Sequence, residues 1–233
     1  MDMTKSTVAL LPLKAHSARV PKKNFRLFCG KPLVRWILDT LLSIDAVECI
    51  VINTDARGEL RDIGIFDDQR VAIRDRRSDL CGDDISMNKV LADDIDAVDA
   101  RVYLMTHATN PLLSSTTICA ALNAFALGVE QDTVDSLFTV NRFQSRFYRA
   151  DARPVNHDPA NLVPTQDLEP WFEENSNLYI FSRESFAATG ARIGPRPMMF
   201  ETPKLESFDI DTLEDWNLAE RVAGSIIRAR GAV

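Results

Sequence analysis

The chain has 233 residues, 45% of them hydrophobic, and a formal net charge of −7 from 27 Lys+Arg against 34 Asp+Glu. That is enough apolar material for one sizeable core, so a single domain over 1–233 is expected. The acidic balance, with a sequence pI of about 5.1, excludes general binding to nucleic acid or to an anionic membrane surface, which needs a basic face. No run approaches the ~18 apolar residues of a membrane span, and "MDMTKSTVALLPLK" lacks the apolar length and cleavage site of a secretory leader. A cytoplasmic protein is expected. Cys29, Cys49, Cys81 and Cys119 form no C-x-x-C pair, which argues against a zinc or dithiol site and for buried, reduced thiols.

In chain order, "TVALLPL" (7–13) reads as a strand, "PLVRWILDTLLSI" (32–44) as an amphipathic helix with apolar pairs Leu33/Val34, Ile37/Leu38 and Leu41/Leu42, and "ECIVIN" (48–53) as a second strand. "RVAIR" (70–74) and "RVYLM" (101–105) continue the strands, with a helix over 86–98 between them; Ser114 N-caps a further helix, and "SLFTV" (136–140) is the next strand. Repeated β-α-β units predict an α/β fold with a mostly parallel sheet and helices on both faces. From 141 to 175 the pattern breaks into polar, aromatic and Pro-punctuated sequence, an inserted arm, before "NLYIFSR" resumes strand character. Thr212, with Asp215 three residues on, caps a last helix.

The segment "LLPLKAHSARVPKKNFRLFCGKPL" (10–33) holds six cations, Lys14, Arg19, Lys22, Lys23, Arg26 and Lys31, and no carboxylate. Their mutual repulsion is unfavourable unless an anion sits among them; the plainer reading is a solvated basic loop. Ligands in open α/β sheets collect beyond the carboxyl ends of the strands, and this loop follows the first strand. It contains neither a P-loop nor a G-x-G-x-x-G fingerprint, so a phosphate here is held by Lys and Arg side chains and loop N–H groups.

The same segment resembles the N-terminal loop of the CMP-sugar synthetases, whose pattern A-R-x-x-S-x-R-x-P-x-K-N followed by G-K-P-L is matched at Ser17, Arg19, Pro21, Lys23, Asn24, Gly30, Lys31, Pro32 and Leu33, with Lys14 at a position usually Arg. "VINTDA" (51–56), "TNPLL" (109–113), "TQDLEPWFEENSNLYIF" (165–181) and "DIDTLEDWNLAE" (209–220) resemble later family segments in the same order. Three departures stand out: Ala18 where the acylneuraminate branch has Lys, His107-Ala108 for Gln-Pro, and Ser176 for a glycine, the last expected to alter the backbone.

The resemblance implies a Rossmann-like three-layer nucleotidyltransferase fold. It implies a cytidylyltransferase passing CMP from CTP to the anomeric hydroxyl of a nonulosonic (sialic-type) or related 3-deoxy-ulosonic acid, with release of pyrophosphate. The implied catalytic set is Lys14, Arg19, Lys23 and Asp211; the nucleotide contacts are Leu13, Ser17, Asn24, Ser86 and Thr109; the sugar contacts are Arg149, Gln166, Asp167 and Asn175. A homodimer through the arm is also implied. Were "FDIDT" (207–211) extended, Asp209 and Asp211 would share one face and could hold Mg²⁺ with phosphate oxygens; the alternative is a solvated Asp209 and a helix-opening Asp211. His107 and His16 lack an evident carboxylate partner, so neither is given acid–base work. The competing classes are a weakly active homologue that binds a nucleotide or CMP-sugar, and a glycosyltransferase using the D-x-D.

Overall fold

Local sequence signals set most of the element boundaries. β1 (Thr7–Leu10) leads into the basic loop, where β2 (Leu27–Phe28) and β3 (Lys31–Pro32) form a short antiparallel pair before α1 (Leu33–Leu42). β4 (Val47–Thr54), α2 (Arg57–Asp62), β5 (Val71–Asp75), α3 (Met87–Ala97), β6 (Val102–Thr106), α4 (Ser115–Glu130) and β7 (Ser136–Phe143) follow. β8 (Trp171–Phe181), α5 (Arg183–Thr189), β9 (Pro197–Glu201) and α6 (Leu213–Gly231) complete the computed structural model, which describes residues 7–65 and 68–231.

The seven-stranded sheet has the order β5-β4-β1-β6-β8-β7-β9. β4 is its most buried example of parallel pairing: Ile50 to Thr54 are all buried, as a strand covered on both faces must be. Only β8 runs against its neighbours, antiparallel to both β6 and β7, while β9 returns parallel to β7. One face is covered by α1 and α4 through Ile37, Leu41, Ile118 and Phe125. The other packs on α3 and α5 through Leu91, Ile95 and Phe186. A third cluster lies beneath the basic loop, where Val20, Phe28 and Leu33 meet Trp216 of α6. There the Phe28 ring stands edge-on to both Trp36 and Trp216, at 5.7 and 5.5 Å between centroids.

Four expectations need correction. β1 ends at Leu10 rather than 13, because Pro12 has no N–H to give a ladder; the chain stays alongside β4 through Leu11 N–H to Val51 O at 2.9 Å and a bridge from Leu13 to Thr54. The irregular part of the arm spans 144–170 rather than 141–175, since Asn141, Arg142 and Phe143 pair with Glu173, Phe172 and Trp171; aromatic residues across a ladder stabilise strands that polar neighbours disguise in the sequence. Cys29, Cys49, Cys81 and Cys119 are all half-buried rather than buried, and no disulfide joins them. Ser176 has φ 56, the left-handed conformation a glycine favours, so the exchange expected to change the backbone sits in a glycine-like geometry. That conformation falls where the β7–β8 register shifts, and it separates the arm half of β8 from the sheet half.

A candidate active site at the strand ends

Beyond Pro12 the basic loop turns through Lys22, itself left-handed at φ 51, into a short helical turn over Lys23–Phe25 that buries Lys23 and Asn24. Asn24 donates to the Lys14 carbonyl at 2.9 Å, which closes the loop on itself. Lys23 Nζ crosses to the chain before α6 and donates to the Ile210 carbonyl at 2.6 Å and to Asp211 Oδ1 at 3.1 Å. Arg19 takes the other oxygen, Oδ2, at 2.9 Å. Two loop cations thus converge on one carboxylate.

The other four cations do not join them at Asp211. Lys14 turns to the neighbouring loop, donating to the Gly82 carbonyl at 3.0 Å and to Asp83 at 3.1 Å. Arg26 lies over the Trp216 ring, and Lys31 pairs with Asp39 at 2.7 Å over Trp36; both brace the loop against helices. Lys22 is exposed. Ser17 Oγ accepts from the Val20 N–H at 3.5 Å, and Leu13 is buried with its carbonyl accepting from Arg76 at 3.1 Å.

Residues 207–211 form no strand, but backbone bonds hold them in place. Ile210 is buried and donates its N–H to the Thr109 carbonyl at 3.0 Å. Asn110, after β6, donates to the Phe208 carbonyl at 3.3 Å and to Asn177 of β8 at 2.7 Å, while Asn177 donates to the Glu206 carbonyl at 2.9 Å. These buried amides fasten the acidic segment to the ends of β6 and β8. Burial raises the Asp209 carboxyl above its ordinary value; the nearby Thr109 side chain opposes this, and the charge of Asp211 adds to it. Immediately after it, the capping box at the start of α6 forms as expected: Thr212 Oγ1 accepts from the Asp215 N–H at 3.1 Å, and Asp215 accepts from the Thr212 N–H at 2.7 Å.

The remaining sequence-derived contacts are scattered. Ser86 occupies the N-cap of α3 without a side-chain capping bond and lines a separate small cleft with Glu174 and Arg192. Asn175 is turned inward: its amide donates to Asn141 at 3.0 Å and Thr202 at 2.7 Å, and its oxygen accepts from the Asn177 N–H at 3.2 Å. The bulge at Ser176 explains this inward turn, which leaves no Asn175 donor for a sugar. Arg149, Gln166 and Asp167 are exposed on the arm, and no side-chain bond to the cleft is formed by them among the described residues. His107 follows β6 and is held neutral, its pKa lowered to about 4 by burial and by Arg192 and Lys23, with Asp211 opposing.

Sequence reasoning missed two groups. Behind the basic loop, Arg76 donates to the Asn53 side chain at 2.9 Å and to the Asn53 and Leu13 carbonyls at 2.8 and 3.1 Å, while Asn53 donates to buried Asp94 at 2.7 Å. "VINTDA" signals the position of Asn53, but nothing local signals that Arg76 folds back beneath Leu13. The second is Arg192, on the loop between α5 and β9, which carries no motif.

A cytidylyltransferase family model matches residues 8–228. The CMP-N,N'-diacetyllegionaminic acid synthase of Legionella pneumophila is 27% identical over 232 residues, spanning 92% of this chain and 95% of that protein. The pseudaminic acid cytidylyltransferase of Campylobacter jejuni is 22% identical, spanning 91% and 94%. The N-acylneuraminate cytidylyltransferase of Streptococcus agalactiae is 23% identical over 90% of this chain but only 51% of its own length. Among solved structures, a CMP:2-keto-3-deoxy-manno-octonic acid synthetase complexed with CTP superposes with a TM-score of 0.65 at 13% identity, over 94% of this chain and 99% of that one. A 4-diphosphocytidyl-2C-methyl-D-erythritol synthase from Anaerococcus prevotii gives 0.66 at 12%, over 94% and 96%. These two share the three-layer fold of nucleotidyltransferases. With the model match running almost from end to end, the chain belongs to the cytidylyltransferase family.

Proposed function

We propose that the protein transfers CMP from CTP to the anomeric hydroxyl of a nonulosonic or related 3-deoxy-ulosonic acid. The hydroxyl oxygen bonds to the α-phosphorus as its proton passes to water, the bond to the bridging oxygen breaks, and pyrophosphate leaves. The observation that carries this reading is the convergence of Arg19 and Lys23 on Asp211, because phosphoryl chemistry is promoted mainly by placing fixed charges around the transferring group. A triphosphate offers both cations more negative charge than one carboxylate does. Its arrival draws them from Asp211 and leaves that carboxylate facing the phosphates beside Asp209.

The donor set fits Mg²⁺. Among the described residues no cluster of three or more His, Cys, Asp or Glu could hold a metal unaided, yet this ion commonly takes one or two carboxylates and completes its shell with waters and substrate phosphates. Asp209 and Asp211 supply two carboxylates; burial raises the Asp209 pKa, and the charge of Asp211 adds to it. When bound, the ion neutralises charge developing on the phosphate oxygens.

The reading places the chain in the cytoplasm as one catalytic domain with an arm, working as a homodimer. Among the described residues no helix is long and apolar enough to cross a membrane. The arm and its flanking strands expose Phe143, Tyr148, Leu162, Trp171 and Phe172, more apolar surface than a solvated loop needs. Sedimentation at micromolar concentration should give a dimer; a fully active monomer would remove the arm from the functional unit. For the reaction itself, pyrophosphate release should depend on CTP together with a ulosonic acid. Nucleotide binding without release, across a panel of ulosonates, would favour the non-catalytic binding protein.

A further inference from the structure

Arg192 is only 20% exposed, and its guanidinium carbon lies 3.8 Å over the centre of the Tyr179 ring. A guanidinium has five N–H donors and accepts nothing. Here one terminal nitrogen is 3.5 Å from Glu174 Oε1, beyond the range of a good charge-assisted hydrogen bond. That same oxygen already accepts the Tyr179 hydroxyl. Among the described residues the other terminal nitrogen meets only the Met105 thioether sulfur, at 3.9 Å, a weak acceptor. These weak contacts leave most of its N–H donors to water or to an outside acceptor.

Arg192 shares a cleft of about 340 Å³ with Ser86, Asn88 and Glu174 at the start of α3. His107, after β6, feels the charges of Arg192, Lys23 and Asp211 alike. The cleft borders the basic loop, because Lys14 bonds the Gly82 carbonyl and Asp83 just ahead of Ser86. Neutral His107 adds no charge to it, and no side-chain hydrogen bond occupies that imidazole among the described residues.

We infer that Arg192, seated on Tyr179, selects the acceptor sugar by gripping a planar oxygen-bearing group on it, its carboxylate or an acylamino carbonyl. The inference rests on the sugar-accepting reading above and names the residue of that site which reads the sugar. A purely structural Arg192 would hold only Glu174 and Tyr179.

Two variants of the full chain test it: Arg192→Met, which keeps the stem on Tyr179 but removes every N–H, and Arg192→Lys, which keeps the charge without the planar fork. N-acetylneuraminate, its 5-hydroxy counterpart lacking the acetamido group, and 3-deoxy-octulosonate are titrated calorimetrically in the presence of CMP and assayed with CTP for pyrophosphate release. Both variants should bind N-acetylneuraminate about tenfold more weakly or worse, the loss expected when a charged hydrogen-bond pair is removed, with KM for CTP moving less than about twofold. Equal weakening for all three sugars assigns the grip to the carboxylate; weakening confined to N-acetylneuraminate assigns it to the acyl carbonyl. Unchanged sugar affinity despite a lowered Tm overturns the inference and leaves Arg192 structural, as does a loss confined to CTP or a wild type that binds none of the sugars. Sugar binding that depends on Arg192 without any pyrophosphate release would instead defeat the transferase reading while this assignment stands.

Discussion

Lys23→Met should be among the most damaging single changes in the basic loop. The Lys23 side chain is 10% exposed and joins the Ile210 carbonyl to Asp211. Its loss removes hydrogen bonds to a charged donor, worth about 1.5–3 kcal/mol, and leaves the acidic segment without its tether. Melting should fall by about 3–12 °C for a chain of this size, and CTP affinity by tenfold or more, while CMP, which lacks the distal phosphates, loses less. Arg19→Ala provides the contrast. Arg19 is 63% exposed, and an exposed ion pair is worth only about 0–1 kcal/mol, so Tm should hardly move although CTP binding weakens. Calorimetric titration of both nucleotides against both variants checks this; equal losses for CTP and CMP would take these cations away from the triphosphate tail.

Those two cations were legible because the loop's signal is local: charge, proline and glycine within about two dozen residues, directly after an apolar run. The parallel half of the sheet was legible for the same reason, since β4 and β6 announce themselves by continuous apolar sequence. Features created by distant pairing were not. Nothing near residue 171 tells that Trp171 will face Phe143, and the antiparallel course of β8 between β6 and β7 is a choice of neighbours rather than of residues. β9 is short, edge-placed and alternately exposed, "PMMFE", without a β-branched residue, so the strand pattern was absent. The site shows the same division. Asp211 could be singled out from D-x-D, but Asn175 could not be excluded from the sugar contacts until the turn at Ser176 showed its amide facing Asn141 and Thr202. Arg192 becomes visible only when its loop folds over Tyr179.

The carboxylate pair gives the sharpest separation of chemistry from structure, because its two members are placed differently. Asp209 is made less acidic by its burial, so Asp209→Asn removes a charge the fold already disfavours and should leave Tm unchanged or slightly higher. Asp211 is the counter-ion of Arg19 and Lys23; Asp211→Asn leaves a mostly buried ammonium short of its partner and should lower stability by about 1–3 kcal/mol. If the two together hold Mg²⁺ against the phosphates, both variants nevertheless lose turnover by about a hundredfold or more, the consequence of forfeiting several kcal/mol of transition-state stabilisation. In both, the Mg²⁺ concentration giving half-maximal rate should rise, and part of the rate should return at high Mg²⁺. A merely structural Asp211 would show the Tm loss with normal turnover per folded molecule and an unmoved Mg²⁺ curve. Were Asp209→Asn also fully active, the metal site would have to be sought elsewhere. Asp55, just beyond β4, is the next candidate, although one of its oxygens already accepts the Ala15 N–H at 2.7 Å.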